Sequence, residues 1–339
     1  MTRSEPSPRR GFLRSLGLTG LAGLIAPRLH AQSSGGQMMA PWWPSRWGTG
    51  DEAGASNWIT PEKVLESAKW IRDGHIYRLG RPYEQGMPLY GTRSFAMTIP
   101  GSPTGGPVGE NRLIYHDEFV AAQIGQVGTQ FDGLGHVGIQ RGADNDKSEM
   151  RYYNGVTEQD MARSTGLVKL GIEKVKPLFT RGHLIDVAGL KGRMLNDAEE
   201  IGLADVRAAL TRQNMREDDL HEGDAIFFNT GWGSLWMKDN ARFNASEPGI
   251  GMEVAKWVIA KNLCLTGADT WSVEVMPNPD KAVTNPLHSE LLTRNGIFNH
   301  ENLTFDTLLA DRKYQFVYVF VPVPIKGATG SPGSPIAIT

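Results

Sequence analysis

Apolar, strand-like runs alternate along this chain with segments of helical periodicity, and this alternation restricts the fold more than any other feature. The strand-like runs lie at 184–187, 225–228, 263–266 and 314–321. Helical patterns lie at 60–74, 203–210 and 251–261. The first of these begins with Thr60 as an N-cap and Pro61 in the first turn. The alternation predicts an α/β fold.

The first residues have the pattern of an export signal. Arg9 and Arg10 precede a weakly apolar run at 15–25 that is too short to cross a bilayer, and Ala31 offers a small residue before a polar stretch. This pattern is typical of a twin-arginine signal. We therefore expect a signal at 1–31, an N-terminal extension at 32–46, a single domain at 47–339 and a periplasmic location.

Charge and cysteine content exclude several kinds of partner and site. The chain has 35 Lys and Arg against 37 Asp and Glu, and removal of residues 1–31 leaves 30 and 36, a net charge of -6. Nucleic acid is therefore an unexpected partner, and no stable membrane span is expected after signal removal. The single cysteine, Cys264, excludes an intramolecular disulfide and a multi-cysteine zinc site. A metal would need His, carboxylate or amide ligands.

A glycine-rich stretch in the middle of the chain carries chemically useful side chains. Five glycines fall between residues 125 and 138, so the backbone can turn tightly and approach a ligand closely. Gln126, Gln130, Asp132 and His136 offer amide, carboxylate and imidazole groups within the same stretch. Polar groups on such a frame favour a binding or catalytic role over packing.

Residues 126–136 resemble the signature of the cyclase family of metal-dependent hydrolases, which includes bacterial kynurenine formamidase, isatin hydrolase and trans-dienelactone hydrolase. That signature is His-x-Gly-Thr-His-x-Asp-x-x-x-His. The spacing is retained here, but Gln126 and Gln130 stand where the first two histidines are expected. The resemblance continues at 223–232, 267–270, 288–301 and 324–332, and covers about 47–338.

The resemblance implies a swivelling β/β/α fold, a homodimer or homotetramer and a divalent metal site. His136 would be the general base. The ligands that it implies or allows are Asp132, His288, Glu301, Gln130 and, as the weaker candidate, Gln126. His300 lies beside Glu301 and is the alternative to it.

The two glutamines bear on the choice of metal. A carboxamide oxygen is a weaker and harder donor than an imidazole nitrogen, so zinc affinity should fall or one site of a pair should be lost. We therefore expect one divalent ion, Mn²⁺ or Zn²⁺, with a pair of ions as the alternative.

The predicted function is hydrolysis of a small cyclic amide, imide or lactone. A bound ion would activate water, and His136 would accept a proton. The predicted substrate-contacting residues are Trp232, Trp271, Tyr115 and Phe131, with core packing as the alternative for both tryptophans. Two other functions remain open, namely a dehydrating cyclase and a small-molecule binding protein that has lost catalysis through its two glutamines.

Overall fold

The computed structural model describes residues 40–339, and these form one compact unit. Within them, nine strands make one mixed sheet. The strands are β1 Ile76–Arg78, β2 Gln130–Asp132, β3 Leu178–Asp186, β4 Ala225–Asn229, β5 Leu265–Ala268, β6 Phe298–Glu301, β7 Gln315–Phe320, β8 Gly330–Pro332 and β9 Ile336–Ile338. Their order across the sheet is β1-β9-β7-β3-β4-β5-β6-β2-β8. Residues 1–39, which include the predicted signal, lie outside the described residues.

The centre of the sheet is parallel and its two sides are antiparallel. Strands β3, β4, β5 and β6 run parallel, β7 pairs antiparallel with β3, and β2 pairs antiparallel with β6. The central strands are buried along almost their whole length, which is why they appear in the sequence as continuous apolar runs. The predicted α/β class is confirmed.

Helices connect these strands and cover the sheet. They are α1 Pro61–Ala68, α2 Glu158–Met161, α3 Val187–Lys191, α4 Leu203–Arg212, α5 Asn240–Ala245, α6 Met252–Ala260, α7 Pro286–His288 and α8 Asp306–Ala310. Helix α4 packs against β3 and against α6. Helix α7 continues into a π-helical turn, Ser289–Arg294.

Helix α1 differs from its sequence prediction in length and in the face that it buries. Its N-cap is as predicted, because Thr60 Oγ1 accepts a hydrogen bond from Lys63 N at 3.2 Å, but the helix ends at Ala68 rather than near Gly74. The buried positions are Lys63 and Ser67, whereas Leu65 is 68% exposed. A buried ion pair explains this orientation, because Lys63 Nζ lies 2.5 Å from Oδ1 of Asp224, which has no exposure.

Asp224 is the centre of a buried charge network. Its carboxylate accepts hydrogen bonds from Arg181 at 2.9 and 3.1 Å, and His183 Nε2 lies 2.9 Å from Oδ2. Burial would raise the pKa of Asp224, but His183, Lys63 and Arg181 outweigh it and lower that pKa to about 2. A carboxylate surrounded by three basic side chains stays ionised in the core.

Five two-stranded sheets lie outside the main sheet among the described residues, and two of them form one excursion of the chain at 95–122. Phe95–Thr98 pairs with Phe119–Ala122, and Gly105–Val108 pairs with Leu113–Tyr115. Leu113 and Ile114 are 54% and 56% exposed although they are neighbours in one strand, so both faces of that strand are open.

The described part of the N-terminal extension packs against the domain. Trp42 Nε1 donates a hydrogen bond to the Tyr152 carbonyl at 3.2 Å, and Ser45 N donates one to Asn154 Oδ1 at 2.7 Å. Among residues 40–339 no helix combines the length and apolar character that a bilayer span requires.

Candidate metal centre

Strands β2 and β6 lie side by side and point polar side chains to one face and aromatic side chains to the other. Gln130 pairs with Glu301, and Phe131 pairs with His300. Because side chains alternate along a strand, Gln130 and Asp132 share the face opposite to that of Phe131. The ring centroid of Phe131 lies 5.0 Å from that of Phe320 in the core. The glycine-rich stretch therefore contains a short, fully buried strand that carries two polar groups to the site.

His288 reaches the same site from helix α7. Its Nε2 lies 3.4 Å from Asp132 Oδ2 and 3.3 Å from Glu301 Oε1. Its Nδ1 lies 2.5 Å from Oε1 of Glu274, and the Glu274 carboxylate also accepts the backbone N–H of His288 at 3.1 Å. With Nδ1 donating to Glu274, the lone pair of Nε2 faces the two other carboxylates.

One ligand atom from each of Asp132, His288 and Glu301 lies within 4.8 Å of the others, and all three residues are buried. Ligand atoms that share one small cation at about 2.1 Å lie roughly 3–3.5 Å apart, and the two distances from His288 Nε2 fall in this range. Both Asp132 oxygens and Oε1 of Gln130 are buried with no hydrogen-bond partner. Buried oxygens without donors fit a site that holds a cation.

The charges around His288 also favour a bound cation. Burial would lower the pKa of His288, but the nearby carboxylates of Asp132, Glu274 and Glu301 outweigh this and raise that pKa well above its usual value. Burial and the charge of Asp132 raise the pKa of Glu301 to about 7. The carboxylates around His288 therefore favour a positive charge at this position.

His136 lies at the edge of the cluster. Its Nε2 is 3.9 Å from Asp132 Oδ1, and its side chain is 21% exposed. Burial lowers the pKa of His136 below its usual value, against the opposing charge of Asp132. The imidazole is therefore neutral near pH 7 and can accept a proton.

A cavity of about 280 Å³ opens beside these residues. His136, His288, Glu301 and Gln130 line it, as does Trp271, which stacks on Tyr90 with a ring separation of 3.9 Å. The site lies where β5 and β6 end, which is the edge of a parallel sheet where ligands usually bind.

The four predicted substrate-contacting residues separate into two groups. Trp271 lines the cavity. Trp232 is fully buried and its Nε1 donates to the Phe243 carbonyl at 3.3 Å, so it packs in the core. Phe131 is also in the core, because strand alternation turns it away from the cavity, and Tyr115 lies 44% exposed on a hairpin. The residues that line the cavity do not include Trp232, Phe131 or Tyr115.

The two glutamines differ in position. Gln130 lines the cavity, and its Nε2 donates to Glu301 Oε2 at 2.6 Å. Gln126 does not line it, and its Nε2 lies 3.5 Å from Thr329 Oγ1 while its buried Oε1 has no partner. His300 points away from the site and its Nδ1 lies 2.7 Å from the Tyr318 hydroxyl, so the neighbour of Glu301 does not compete with it.

Val137, Ser272 and Asn285 line the cavity and were not predicted from the sequence. Nor were three charged or aromatic residues of the site, namely Glu274, Tyr90 and Arg93. Glu274 follows β5 in a segment without regular periodicity, and the other two lie in an irregular loop. Their types alone gave no signal, since single acidic, aromatic and basic residues in loops are common.

The protein has an α/β fold whose mixed sheet brings two carboxylates and one imidazole together beside a cavity. This arrangement defines a candidate metal-binding enzyme. The chain belongs to the Cyclase family, whose family model matches residues 77–275. The predicted family resemblance is confirmed. No curated protein matches the chain in sequence.

Solved structures with the same fold agree with this assignment. The crystal structure of a novel cyclase is 29% identical, with a TM-score of 0.76 over 86% of this chain and 98% of that chain. Isatin hydrolase A from Ralstonia solanacearum is 17% identical, with a TM-score of 0.58 over 82% and 96%. Isatin hydrolase A from Labrenzia aggregata, bound to benzyl benzoate, is also 17% identical, with a TM-score of 0.56 over 81% and 97%. At such identities the two hydrolases establish a shared fold.

Proposed function

We propose that this protein is a metal-dependent hydrolase that opens a small cyclic amide, imide or lactone. The observation that carries the proposal is the convergence of Asp132, His288 and Glu301, with orphaned oxygen atoms, beside a cavity that also contains His136. Membership of the Cyclase family supports it. The cavity volume of about 280 Å³ lies at the lower end of the range for ligand sites, which favours a small substrate.

The roles of the residues follow from their chemistry. When bound, a divalent ion lowers the pKa of a coordinated water and polarises a carbonyl oxygen. Asp132 and Glu301 supply negatively charged oxygens, and His288, oriented by Glu274, supplies an imidazole nitrogen. His136 is neutral and accepts the proton that water loses, then returns it to the leaving nitrogen or oxygen.

We infer a single ion, Mn²⁺ or Zn²⁺, with Gln130 Oε1 as a further ligand. That oxygen is buried, has no hydrogen-bond partner and belongs to a side chain whose Nε2 is already bonded to Glu301. Gln126 is the weaker candidate, because it lies away from the cavity lining.

Elemental analysis of protein purified without added metal tests the centre. We expect close to one equivalent of a transition metal, and a rise in the melting temperature when Mn²⁺ or Zn²⁺ is restored to stripped protein. The Asp132→Asn variant is the matched control and should show neither. Less than about a tenth of an equivalent, with no thermal shift, would contradict the proposal.

A panel of lactones, imides and formamides tests the reaction. Mass spectrometry distinguishes the alternatives, because hydrolysis adds one water to the substrate and a dehydrating cyclase removes one. A binding protein without catalysis is the second candidate function, and the observation that favours it is the presence of Gln126 and Gln130 at two histidine positions of the family signature. Binding of panel compounds without any mass change would favour that function.

We also propose export to the periplasm, on the basis of Arg9 and Arg10 and the short apolar run that follows. Cell fractionation of the full chain tests this. Replacement of both arginines by lysine should retain the protein in the cytoplasm, and an unchanged distribution would contradict export.

A homodimer or homotetramer is proposed from the exposed apolar hairpins. Leu113, Ile114 and Phe119 are 54%, 56% and 62% exposed, an unusual concentration of apolar surface for a protein that stays monomeric. Light scattering coupled to size-exclusion chromatography measures the mass. A monomer at all concentrations would contradict the proposal.

A further inference from the structure

Arg93 places a positive charge on the wall of the cavity. It follows Tyr90 in a turn, where Arg93 N donates to the Tyr90 carbonyl at 3.4 Å. The guanidinium carbon lies 5.7 Å from the Tyr90 ring centroid, and Tyr90 stacks on Trp271. Both residues line the same cavity as His136, His288 and Glu301. Arg93 therefore belongs to a wall that a bound molecule would contact.

The guanidinium of Arg93 makes no hydrogen bond or ion pair with the part of the chain that the structure describes. Two other arginines of the domain, Arg181 and Arg242, are paired with Asp224 and Asp197. The carboxylates near the cavity already have partners, since Glu301 accepts from Gln130 and both Asp132 and Glu301 lie within 3.4 Å of His288. The charge of Arg93 acts on Asp132 and Glu301 across the cavity, but its N–H groups have no acceptor among residues 40–339 and can donate to a ligand.

The chemistry of arginine restricts what that ligand carries. The planar guanidinium presents parallel N–H groups that match the two oxygens of a carboxylate, and such paired hydrogen bonds are stronger than neutral ones. Arg93 is only partly exposed, so its charge is less screened by water than at an open surface. The neighbouring wall residues Ser272 and Asn285 are uncharged and do not compete for an anion.

We infer that Arg93 is the anion-binding residue of this cavity, and that the substrate carries a carboxylate separate from the bond that is hydrolysed. The inference deepens the proposed function and rests on it for the identity of the reacting end. The reacting carbonyl lies toward Asp132, His288 and Glu301, and the carboxylate lies against Arg93. The stacked pair of Tyr90 and Trp271 borders the space between them.

Calorimetric binding of two matched probes tests the inference without requiring turnover. Phthalide is a neutral lactone, and 5-carboxyphthalide is the same lactone with one carboxylate. Each is titrated into Mn²⁺-loaded and metal-stripped protein. We expect the wild type to bind the carboxylated probe at least about tenfold more tightly in both forms, with a preference that falls as salt concentration rises.

Three variants identify the source of the preference. Arg93→Gln should lose it, Arg93→Lys should keep part of it, and Arg72→Gln, which removes an exposed arginine elsewhere, should leave it unchanged. Circular dichroism verifies that each variant is folded. Equal affinity of the wild type for both probes, no binding of the carboxylated probe, or a preference that survives in Arg93→Gln would overturn the inference.

The same probes separate this inference from the proposed function. If neither lactone is opened although the carboxylated one binds through Arg93, the anion site stands, and the hydrolase proposal fails if the imides and formamides of the panel are also left unopened. If both are opened equally well and bound equally well, the hydrolase proposal stands and the anion site fails.

Discussion

Gln130 and Glu301 face each other across strands β2 and β6, and the amide Nε2 of Gln130 donates a hydrogen bond of 2.6 Å to Glu301 Oε2. The bond fixes the amide, so that its Oε1 is the atom left without a partner. A glutamine at this position therefore both orients one carboxylate and offers an oxygen of its own. The residue that departs from the family signature remains part of the cluster.

Replacing Gln130 by histidine should change the metal preference. An imidazole nitrogen is a stronger donor for zinc than an amide oxygen, so we expect Gln130→His to raise zinc affinity by about tenfold or more. Competition with a chromophoric chelator measures the affinity. Gln126→His is the matched control and should gain less, because Gln126 does not line the cavity. An equal gain in both variants would contradict the placement of Gln130 in the shell.

Removing the imidazole of His136 should slow the reaction without releasing the metal. General-base catalysis contributes about two to four powers of ten, and His136→Ala should lose turnover by that amount once a substrate is known. Metal content should stay unchanged, because the cluster of Asp132, His288 and Glu301 is intact. His75→Ala, at a 70% exposed side chain, is the control. Unchanged turnover would remove His136 from the mechanism.

Glu274 should act on the metal through His288. The short contact between His288 Nδ1 and Glu274 Oε1 orients the imidazole, and loss of such partners weakens metal affinity about 10–100-fold. We expect Glu274→Gln to show this loss in a chelator competition assay. Glu253→Gln, on the exposed side of α6, should have no effect. Wild-type affinity in Glu274→Gln, in a variant that melts normally without metal, would contradict the assignment.

Asp224 should make the fold sensitive to acid. Its pKa is about 2 in the folded chain and 3.8 ordinarily, so the unfolded chain binds a proton first as the pH falls. The free energy of unfolding therefore decreases from about pH 4 to about pH 2, by roughly 2 kcal/mol from this residue. Urea unfolding at several pH values measures the slope. Asp224→Asn should be less stable at pH 7 but have a flatter slope, and an unchanged slope would contradict the prediction.

The thiol of Cys264 should report unfolding. It is fully buried, and burial raises its pKa to about 12, so almost no thiolate exists at pH 8. We expect iodoacetamide to leave the native protein unmodified at pH 8 and to add one adduct in denaturant, as measured by intact mass. Rapid modification of the native protein would show that this strand region opens readily.

The fold was predictable from the sequence because its central strands are continuous apolar runs and its longer helices carry apolar residues at helical spacing. The face of α1 was not, because Lys63 is buried only through Asp224, a partner 161 residues away. A helix that buries a lysine and exposes Leu65 contradicts the usual apolar stripe. Long-range charge pairing determined this orientation.

The candidate site was predicted in part. Asp132, His288 and Glu301 were proposed from spacing and resemblance, and the structure brings them together. Phe131 was also predicted to contact substrate, but residues 130–132 form a strand whose alternation turns that ring into the core. Arg93 gave no signal, since its role depends on a cavity that only the folded chain forms.

Strands β2 and β6 carry residues of the site on one face and residues of the core on the other, and this affects how such a protein can diversify. Gln130 and Glu301 line the cavity and Asp132 shares the face of Gln130, whereas Phe131 and His300 contact the aromatic interior. Substitutions on the first set can exchange one chemistry for another while the second set keeps the domain folded. A lineage could therefore exchange ligands at this centre by successive single substitutions, and Gln130 stands at a histidine position of the family signature.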